Sequence, residues 1–246
     1  MFNIGERDGG AFRFLSYYCA EKSMSIIDML KTNPSLVQEI VRQRDAKAGE
    51  TIQEIDNSKR IAIYGHRYSI NGYPLDAVIW QNAYITMIES YNDVVSFGFG
   101  GCVMANFYLN NRFYTAHIHN ADIYHQHEDG RINWIQYIKS NGIKINSMFR
   151  PANESFNILT KIRSSVCIWG VCTPMGKNYS LILDHEEKHL ISIREYQTPY
   201  NYNEILKLHK DSNYNSVCNT WNNFWQNKQH YRSIYENHIS SKLTDW

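Results

Sequence analysis

The sequence lacks a long apolar run and has no excess of either charge. No stretch of about 18 consecutive apolar residues occurs, which excludes a membrane-spanning helix. Lysine plus arginine total 25 and aspartate plus glutamate 24, giving a formal net charge of +1 among 246 residues. No broad surface for nucleic acid or an anionic membrane is therefore predicted. The start has no basic segment followed by an apolar one, so no secretory signal is expected. We expect a cytoplasmic protein, or one delivered to a host cytosol by a signal-less secretion route.

Cysteines are few and do not form a regular pattern. The five are odd in number and scattered along the chain, which argues against a disulfide framework and suits a reducing compartment. Cys167 and Cys172 form the closest pair, but no second cysteine or histidine pair accompanies them at a zinc-knuckle spacing. The sequence predicts no cofactor, and a structural zinc site at this pair is not expected.

The composition instead predicts a globular protein. Hydrophobic residues make up 43% of the chain and aromatic residues 14%, enough to build one sizeable core. We interpret residues 1–246 as a single catalytic domain with a helical part to about residue 58. A sheet core follows over about 60–195, and a C-terminal helix over about 216–242. Apolar residues at helical spacing support helices over Ser23–Lys31 and Ser35–Arg44.

The central region is dominated by strand patterns. Arg60–Ile70 indicates a strand, Val94–Ile118 indicates two strands, and Leu75–Tyr91 fits a helix. Trp134–Ser140 predicts a short helix. A meander of strands is predicted over Val166–Val171, Tyr179–Leu183 and His189–Arg194. Helices followed by mainly antiparallel strands favour an α+β fold, with a sandwich-like central sheet between N- and C-terminal helices.

The most informative segment is a predicted β-hairpin whose tip is Asn110-Asn111. Asparagine tolerates the positive φ that a two-residue hairpin turn requires. This turn fixes the register, because a shift by one residue would place apolar side chains opposite polar ones. One face is then apolar and carries Val103, Ala105, Phe107, Tyr114, Ala116 and Ile118. The other face carries Cys102, Met104, Asn106, Tyr108, Phe113, Thr115, His117 and His119.

Cys102 shares that second face with two histidines. The register places His119 directly across from it and His117 diagonally, within about 8 Å between Cβ atoms. A protonated imidazole beside a thiol lowers the pKa of the thiol and stabilises the thiolate nucleophile. Gly98, Gly100 and Gly101 precede the cysteine and permit close approach of a substrate. Backbone N–H groups of Gly101 and Cys102 are candidates to hold an oxyanion.

Gly100-Gly101-Cys102, followed by Ala116-His117, resembles the cysteine–histidine deamidase toxins. That group includes cytotoxic necrotizing factor, dermonecrotic toxin and Burkholderia lethal factor. Its members carry a small-Gly-Cys signature at the start of a strand and a histidine on a neighbouring strand roughly fifteen residues later. The resemblance covers about 25 residues. Gly100 stands where the family's motif has serine.

The resemblance implies a reaction, the residues that perform it and a class of partner. Cys102 would be the nucleophile and His117 the base, with His119 as the alternative base. The thiolate would attack a glutamine side-chain amide, ammonia would leave, and water would release glutamate. The implied partner is a protein with a reactive glutamine, such as a host Rho GTPase or a translation factor. The group that orients the histidine is not identified, although Asn120 and Asp122 are close in sequence.

Three other interpretations remain open. A cysteine protease, an amidase or a transglutaminase would use the same dyad. A metal site is possible at His117, His119, His125 and His127, because imidazole suits zinc or iron. A binding protein, such as an immunity or adaptor protein, would use exposed aromatic residues as anchors, with Trp221, Phe224 and Trp225 as candidates.

Overall fold

A computed structural model describes residues 24–47, 52–56, 58–81, 84–100, 102–119, 130–152 and 166–196. The helices within these ranges are α1 (Ile26–Thr32), α2 (Leu36–Ala46) and α3 (Gly130–Asn141). The first strands are β1 (Gln53–Asp56), β2 (Ile61–Ile63), β3 (Gly65–Ile70), β4 (Tyr73–Val78), β5 (Ile85–Glu89) and β6 (Asp93–Ser96). The remaining strands are β7 (Val103–Leu109), β8 (Arg112–Ile118), β9 (Lys144–Phe149), β10 (Val166–Cys172), β11 (Asn178–Asp184) and β12 (Leu190–Tyr196).

The strands form two six-stranded sheets. Sheet 1 has the order β1-β2-β5-β8-β7-β9, and sheet 2 has the order β12-β11-β10-β6-β4-β3. Neighbouring strands are antiparallel except for the pairs β2–β5 and β4–β6, which are parallel. The mixed helix and strand content and the mainly antiparallel pairing confirm the predicted α+β, sandwich-like fold.

The buried residues arrange these elements in four layers. Helices α1 and α2 cover the outer face of sheet 2 with Ile27, Leu30, Val37 and other apolar residues. Helix α3 covers the outer face of sheet 1, where Trp134 packs against Phe107 of β7. A third buried cluster lies between the sheets and draws residues from both. Burial of apolar surface on both faces of each sheet is what stabilises this arrangement.

Strand β6 is fixed to the N-terminus of α1 by a buried carboxylate. Asp93 Oδ2 accepts hydrogen bonds from the backbone N–H of Ile26 (2.9 Å) and from the hydroxyl of Tyr73 (2.7 Å). The helix start is also closed by a capping box between Ser25 and Asp28. These contacts hold the strand that ends at Ser96, next to the candidate site.

The hairpin register is confirmed over β7 and β8, whereas the predicted pairing of Cys102 with His119 lies just beyond both strands and stays a prediction. Val103 pairs with Ile118, Met104 with His117, and Asn106 with Thr115, as the sequence predicts. Asn110 and Asn111 have φ values of 50° and 62°, the left-handed conformation that a two-residue turn requires at both positions. The apolar face of the hairpin lies under α3, and the other face lies between the two sheets.

Some element predictions are confirmed and others are wrong. The helix near Trp134 and the β10–β12 meander are confirmed, as are both helices near the N-terminus. Leu75–Tyr91 is not a helix, because it contains most of β4 and all of β5, which belong to different sheets. Arg60–Ile70 is two strands, not one, and β1 lies within the part predicted to be helical. The predicted C-terminal helix at 216–242 lies outside the described residues.

Candidate active site

Cys102 lies at the end of the hairpin, between the sheets. It directly precedes β7 and is only 8% exposed. It belongs to the same buried cluster as Phe99 and Met104. These two residues also flank His117, because Met104 pairs with His117 across β7 and β8 and the ring of Phe99 stacks on the imidazole. Cys102 therefore belongs to the buried cluster whose members Phe99 and Met104 flank His117.

His117 is held by a hydroxyl from the opposite sheet. Its Nδ1 lies 2.8 Å from the Oγ of Ser96, at the end of β6. Ser96 Oγ also lies 2.7 Å from the carbonyl oxygen of Val78, which can only accept a hydrogen bond. Since a serine hydroxyl has one proton, Ser96 donates it to Val78 and accepts a hydrogen bond from Nδ1–H of His117. This network selects the tautomer in which Nε2 carries the lone pair.

The Nε2 atom of His117 is buried and has no hydrogen-bond partner in the described part of the chain. Burial, together with the nearby charge of His119, lowers the pKa of His117 to about 3. His117 is therefore neutral at physiological pH. A neutral imidazole with a free Nε2 is ready to accept a proton. A group of this kind can act as a general base on a thiol, but it does not supply the standing positive charge that would stabilise a thiolate in advance.

The backbone after β6 places Phe99 against His117. Gly98 has a φ of +70°, a conformation that glycine adopts without strain. This turn sends Phe97 into the core under α1 and α2 and Phe99 into the layer between the sheets. The Phe99 ring lies 4.2 Å from the His117 ring, centroid to centroid, and nearly parallel to it. The imidazole is thus held by stacking as well as by Ser96.

Gly170 of β10 leaves room for this packing. A Cβ atom at that position would lie 2.7 Å from Met104 Sδ and 3.1 Å from Phe99 Cε2. Contacts that short are essentially never tolerated without movement of a neighbour. The absence of a side chain at Gly170 therefore allows the sheets to approach each other beside the site.

His119 lies on the other side of the site, against α3. It is 3% exposed and directly follows β8. A Cβ atom at Gly130 would lie 2.6 Å from Cδ2 of His119 and 2.9 Å from its Nε2. The ring of His119 therefore packs on the first turn of α3. Its effect on the pKa of His117 shows that the two imidazoles are electrostatic neighbours.

Several predicted site residues lie outside the described part of the chain. They are Gly101 of the proposed oxyanion site, the neighbours Asn120 and Asp122, the alternative metal ligands His125 and His127, and the aromatic residues Trp221, Phe224 and Trp225. Among the described residues, no group of three or more histidine, cysteine, aspartate or glutamate side chains is arranged to hold a metal ion. The helices described are also too short or too polar to cross a membrane.

Two other described cysteines sit in settings unsuited to a nucleophile. Burial, together with the Glu187 carboxylate, raises the pKa of Cys167 to about 12. That carboxylate accepts a hydrogen bond from the thiol at 3.0 Å. Burial likewise raises the pKa of Cys172 well above its usual value. A thiol with a raised pKa is a poor source of thiolate. Cys172 nevertheless offers a buried cysteine for comparison with Cys102.

Sequence reasoning missed Ser96 and its partner Val78. The contact between Ser96 and His117 joins two sheets and so cannot be deduced from the pattern of either strand alone. The available signal was a hydroxyl residue directly after the apolar pair Val94-Val95, at the end of β6. A buried hydroxyl in such a run needs a hydrogen-bond partner, and here the partners are a histidine and a carbonyl.

Comparison of the chain with protein-family models, with curated proteins and with solved structures found no match.

Proposed function

We propose that this chain is a cysteine-nucleophile hydrolase, most specifically a protein glutamine deamidase, with Cys102 as nucleophile and His117 as base. One observation carries the proposal. His117 is a buried, neutral imidazole whose Nδ1 is fixed by Ser96 and whose Nε2 has no partner among the described residues. A histidine with a purely structural role in a core would be expected to use both ring nitrogens.

The proposed reaction proceeds through a thioester. His117 Nε2 accepts the proton of the Cys102 thiol as the sulfur attacks the carbon of a glutamine carboxamide. The resulting imidazolium gives that proton to the amide nitrogen, and ammonia leaves. Water then attacks the thioester while His117 accepts a proton from it. The carbon–sulfur bond breaks, the sulfur regains a proton, and the substrate carries glutamate in place of glutamine.

The choice of a glutamine amide comes from the resemblance of Gly100-Gly101-Cys102 and His117 to the deamidase toxins. Those proteins act on host regulatory proteins, so a host GTPase or translation factor reached in the host cytosol is the proposed class of substrate. Peptide-bond cleavage and transamidation would use the same two side chains, since all three reactions share the thioester.

The test measures ammonia release from a purified Rho GTPase and from a purified translation factor, with mass spectrometry to locate a glutamine converted to glutamate. We expect release by the wild-type chain, none by Cys102→Ala, and wild-type release by Cys172→Ala, which removes another buried thiol. Circular dichroism would check that each variant is folded. Full activity in a folded Cys102→Ala protein would refute the mechanism.

A further inference from the structure

Thr86 of β5 lies next to His117, and its hydroxyl has no partner among the described residues. The two residues pair directly across β5 and β8, so their side chains leave sheet 1 on the same face, toward sheet 2. Both are fully buried. Neither Thr86 Oγ1 nor His117 Nε2 has a hydrogen-bond partner among the described residues, which means that they do not bond to each other.

Two such atoms side by side are unusual in a protein core. A buried polar atom without a partner costs free energy, so native proteins rarely keep one. The two atoms here are complementary in a specific way. Nε2 of His117 can only accept a proton, while a threonine hydroxyl can both donate and accept. A molecule with an O–H donor and an acceptor lone pair, such as water, bonds to both at once.

We propose that Thr86 is a positioning residue that holds, together with His117 Nε2, the water consumed in the second half of the reaction. This inference rests on the proposed function. After ammonia leaves, Nε2 is again an acceptor, and Thr86 Oγ1 fixes the oxygen of the water beside it. The water oxygen bonds to the thioester carbon as one proton passes to Nε2. The carbon–sulfur bond then breaks, and the proton moves from His117 to the Cys102 sulfur.

The position of Thr86 fits this role and not that of a base or a nucleophile. It is on the opposite side of His117 from Met104, because β8 lies between β5 and β7 in sheet 1. Ser96 occupies the Nδ1 side of the ring. The hydroxyl of Thr86 thus acts only through a molecule bound at Nε2.

The test separates the two halves of the reaction with p-nitrophenyl acetate, a probe that acylates a reactive cysteine without any protein target. The full-length wild-type chain should release a burst of p-nitrophenol equal to the enzyme concentration, followed by slower turnover. Thr86→Val should keep the burst and lower the turnover by about 100-fold, the size expected when a reacting group loses its alignment. Thr86→Ser, which keeps a hydroxyl, should turn over at a rate close to that of the wild type.

Hydroxylamine provides a readout that structural damage would not produce. It attacks thioesters without needing a bound water, so it should restore turnover in Thr86→Val. Thr115→Val is the matched control, since it removes another buried threonine hydroxyl from the same face of sheet 1. In this control the ratio of burst to turnover should not change. Unchanged turnover in Thr86→Val, equal loss of burst and turnover, or no rescue by hydroxylamine would each overturn the inference.

Failure of the proposed function would look different. In that case the wild-type chain would show no burst, or Cys102→Ala would show the same burst. Either result would refute the proposed function and, with it, the proposed role of Thr86. Magnetisation transfer from water to Hε1 of His117, measured by NMR in the wild type and in Thr86→Val, tests the bound water directly. We expect transfer in the wild type and its loss in the variant, whereas equal transfer in both would contradict the inference.

Discussion

Two polar pairs lie on the inner face of sheet 1, and they differ in how their hydrogen bonds are satisfied. Asn106 and Thr115 form a closed pair. The Thr115 hydroxyl donates to Asn106 Oδ1 at 2.7 Å, and Asn106 Nδ2 donates to the carbonyl of Thr173 on sheet 2 at 3.1 Å. Thr86 and His117 form an open pair, which leaves one atom of each side chain without a partner in the described region.

The closed pair shows that this fold can provide hydrogen-bond partners for polar side chains buried between its sheets. It does so for Asn106 and Thr115, near the middle of the hairpin. Both pairs are buried to the same degree, and Thr115 and His117 are only two positions apart along β8. Burial alone therefore does not explain the open pair. Buried polar atoms that have no partner among the described residues are what the proposed site for proton transfer requires before its substrate arrives.

The largest effect should come from replacing His117, the proposed general base in the open pair. His117→Gln should lower turnover of p-nitrophenyl acetate by about 100-fold to 10,000-fold, the usual contribution of a general base. Steady-state kinetics on the folded variant would measure it, with His119→Gln as the control. Strong loss in His119→Gln and near-normal rates in His117→Gln would assign the base to His119 instead.

Lowering the pH should affect the open pair, because His117 can be protonated. The closed pair, Asn106 and Thr115, has no titratable group. An unfolded histidine has a pKa of about 6.5, whereas folded His117 has a pKa of about 3. Between these values the unfolded chain binds a proton that the folded chain does not. The free energy of unfolding should therefore fall as the pH drops from about 6.5 to 3, by up to about 1.4 kcal/mol per pH unit from this group.

Urea unfolding at several pH values would measure this slope. Carboxylates with lowered pKa values, such as Glu39 and Asp184, add their own acid sensitivity, so the wild type must be compared with His117→Gln. The variant should lose part of the slope between pH 6.5 and 3. If the free energy of unfolding depended on pH identically in the wild type and in the variant, the pKa of His117 would not be lowered in the folded protein.

Breaking the closed pair should reduce stability. Asn106→Leu has a similar volume but leaves Thr115 Oγ1 and the Thr173 carbonyl without their partner. The expected loss is about 1–3 kcal/mol in the free energy of unfolding. Chemical denaturation would measure it. The double variant Asn106→Leu/Thr115→Val should recover part of the loss, and a single variant as stable as the wild type would contradict the structural role.

The smallest effect should come from Thr86→Val, which removes a hydroxyl that has no partner in the described part of the chain and keeps the side-chain shape. Its free energy of unfolding should stay within about 1 kcal/mol of the wild type, or rise. The same denaturation experiment applies, with Thr115→Val as the comparison. A loss as large as that in Asn106→Leu would show that the Thr86 hydroxyl is needed for folding.

The hairpin could be predicted from sequence because its determinants are local. The asparagine pair fixes the turn, and alternation along each strand fixes which residues face the same side. Leu75–Tyr91 could not be assigned in the same way. Leu75 to Val78 are all buried, Asp76 included. A short buried run without alternation has the same appearance in a strand as in a helix.

The partners of His117 could not be predicted, since each depends on how the strands are ordered. Ser96 reaches His117 from the other sheet, and Thr86 becomes its neighbour only because β5 pairs with β8. The separation of Thr86 and His117 along the sequence does not indicate that their strands pair. Composition offered one clue, a lone threonine within the apolar run Ile85-Thr86-Met87-Ile88.

The hydrogen bond between Ser96 and His117 joins the two sheets at the site. The imidazole belongs to sheet 1 and the hydroxyl that orients it belongs to sheet 2, so the tautomer of His117 depends on the spacing between the sheets. A change that moves them apart would release Nδ1 and let the proton shift to Nε2, where it would block the base. On the proposed mechanism, substitutions far from Cys102 that change this spacing would then inactivate the protein while it is still folded.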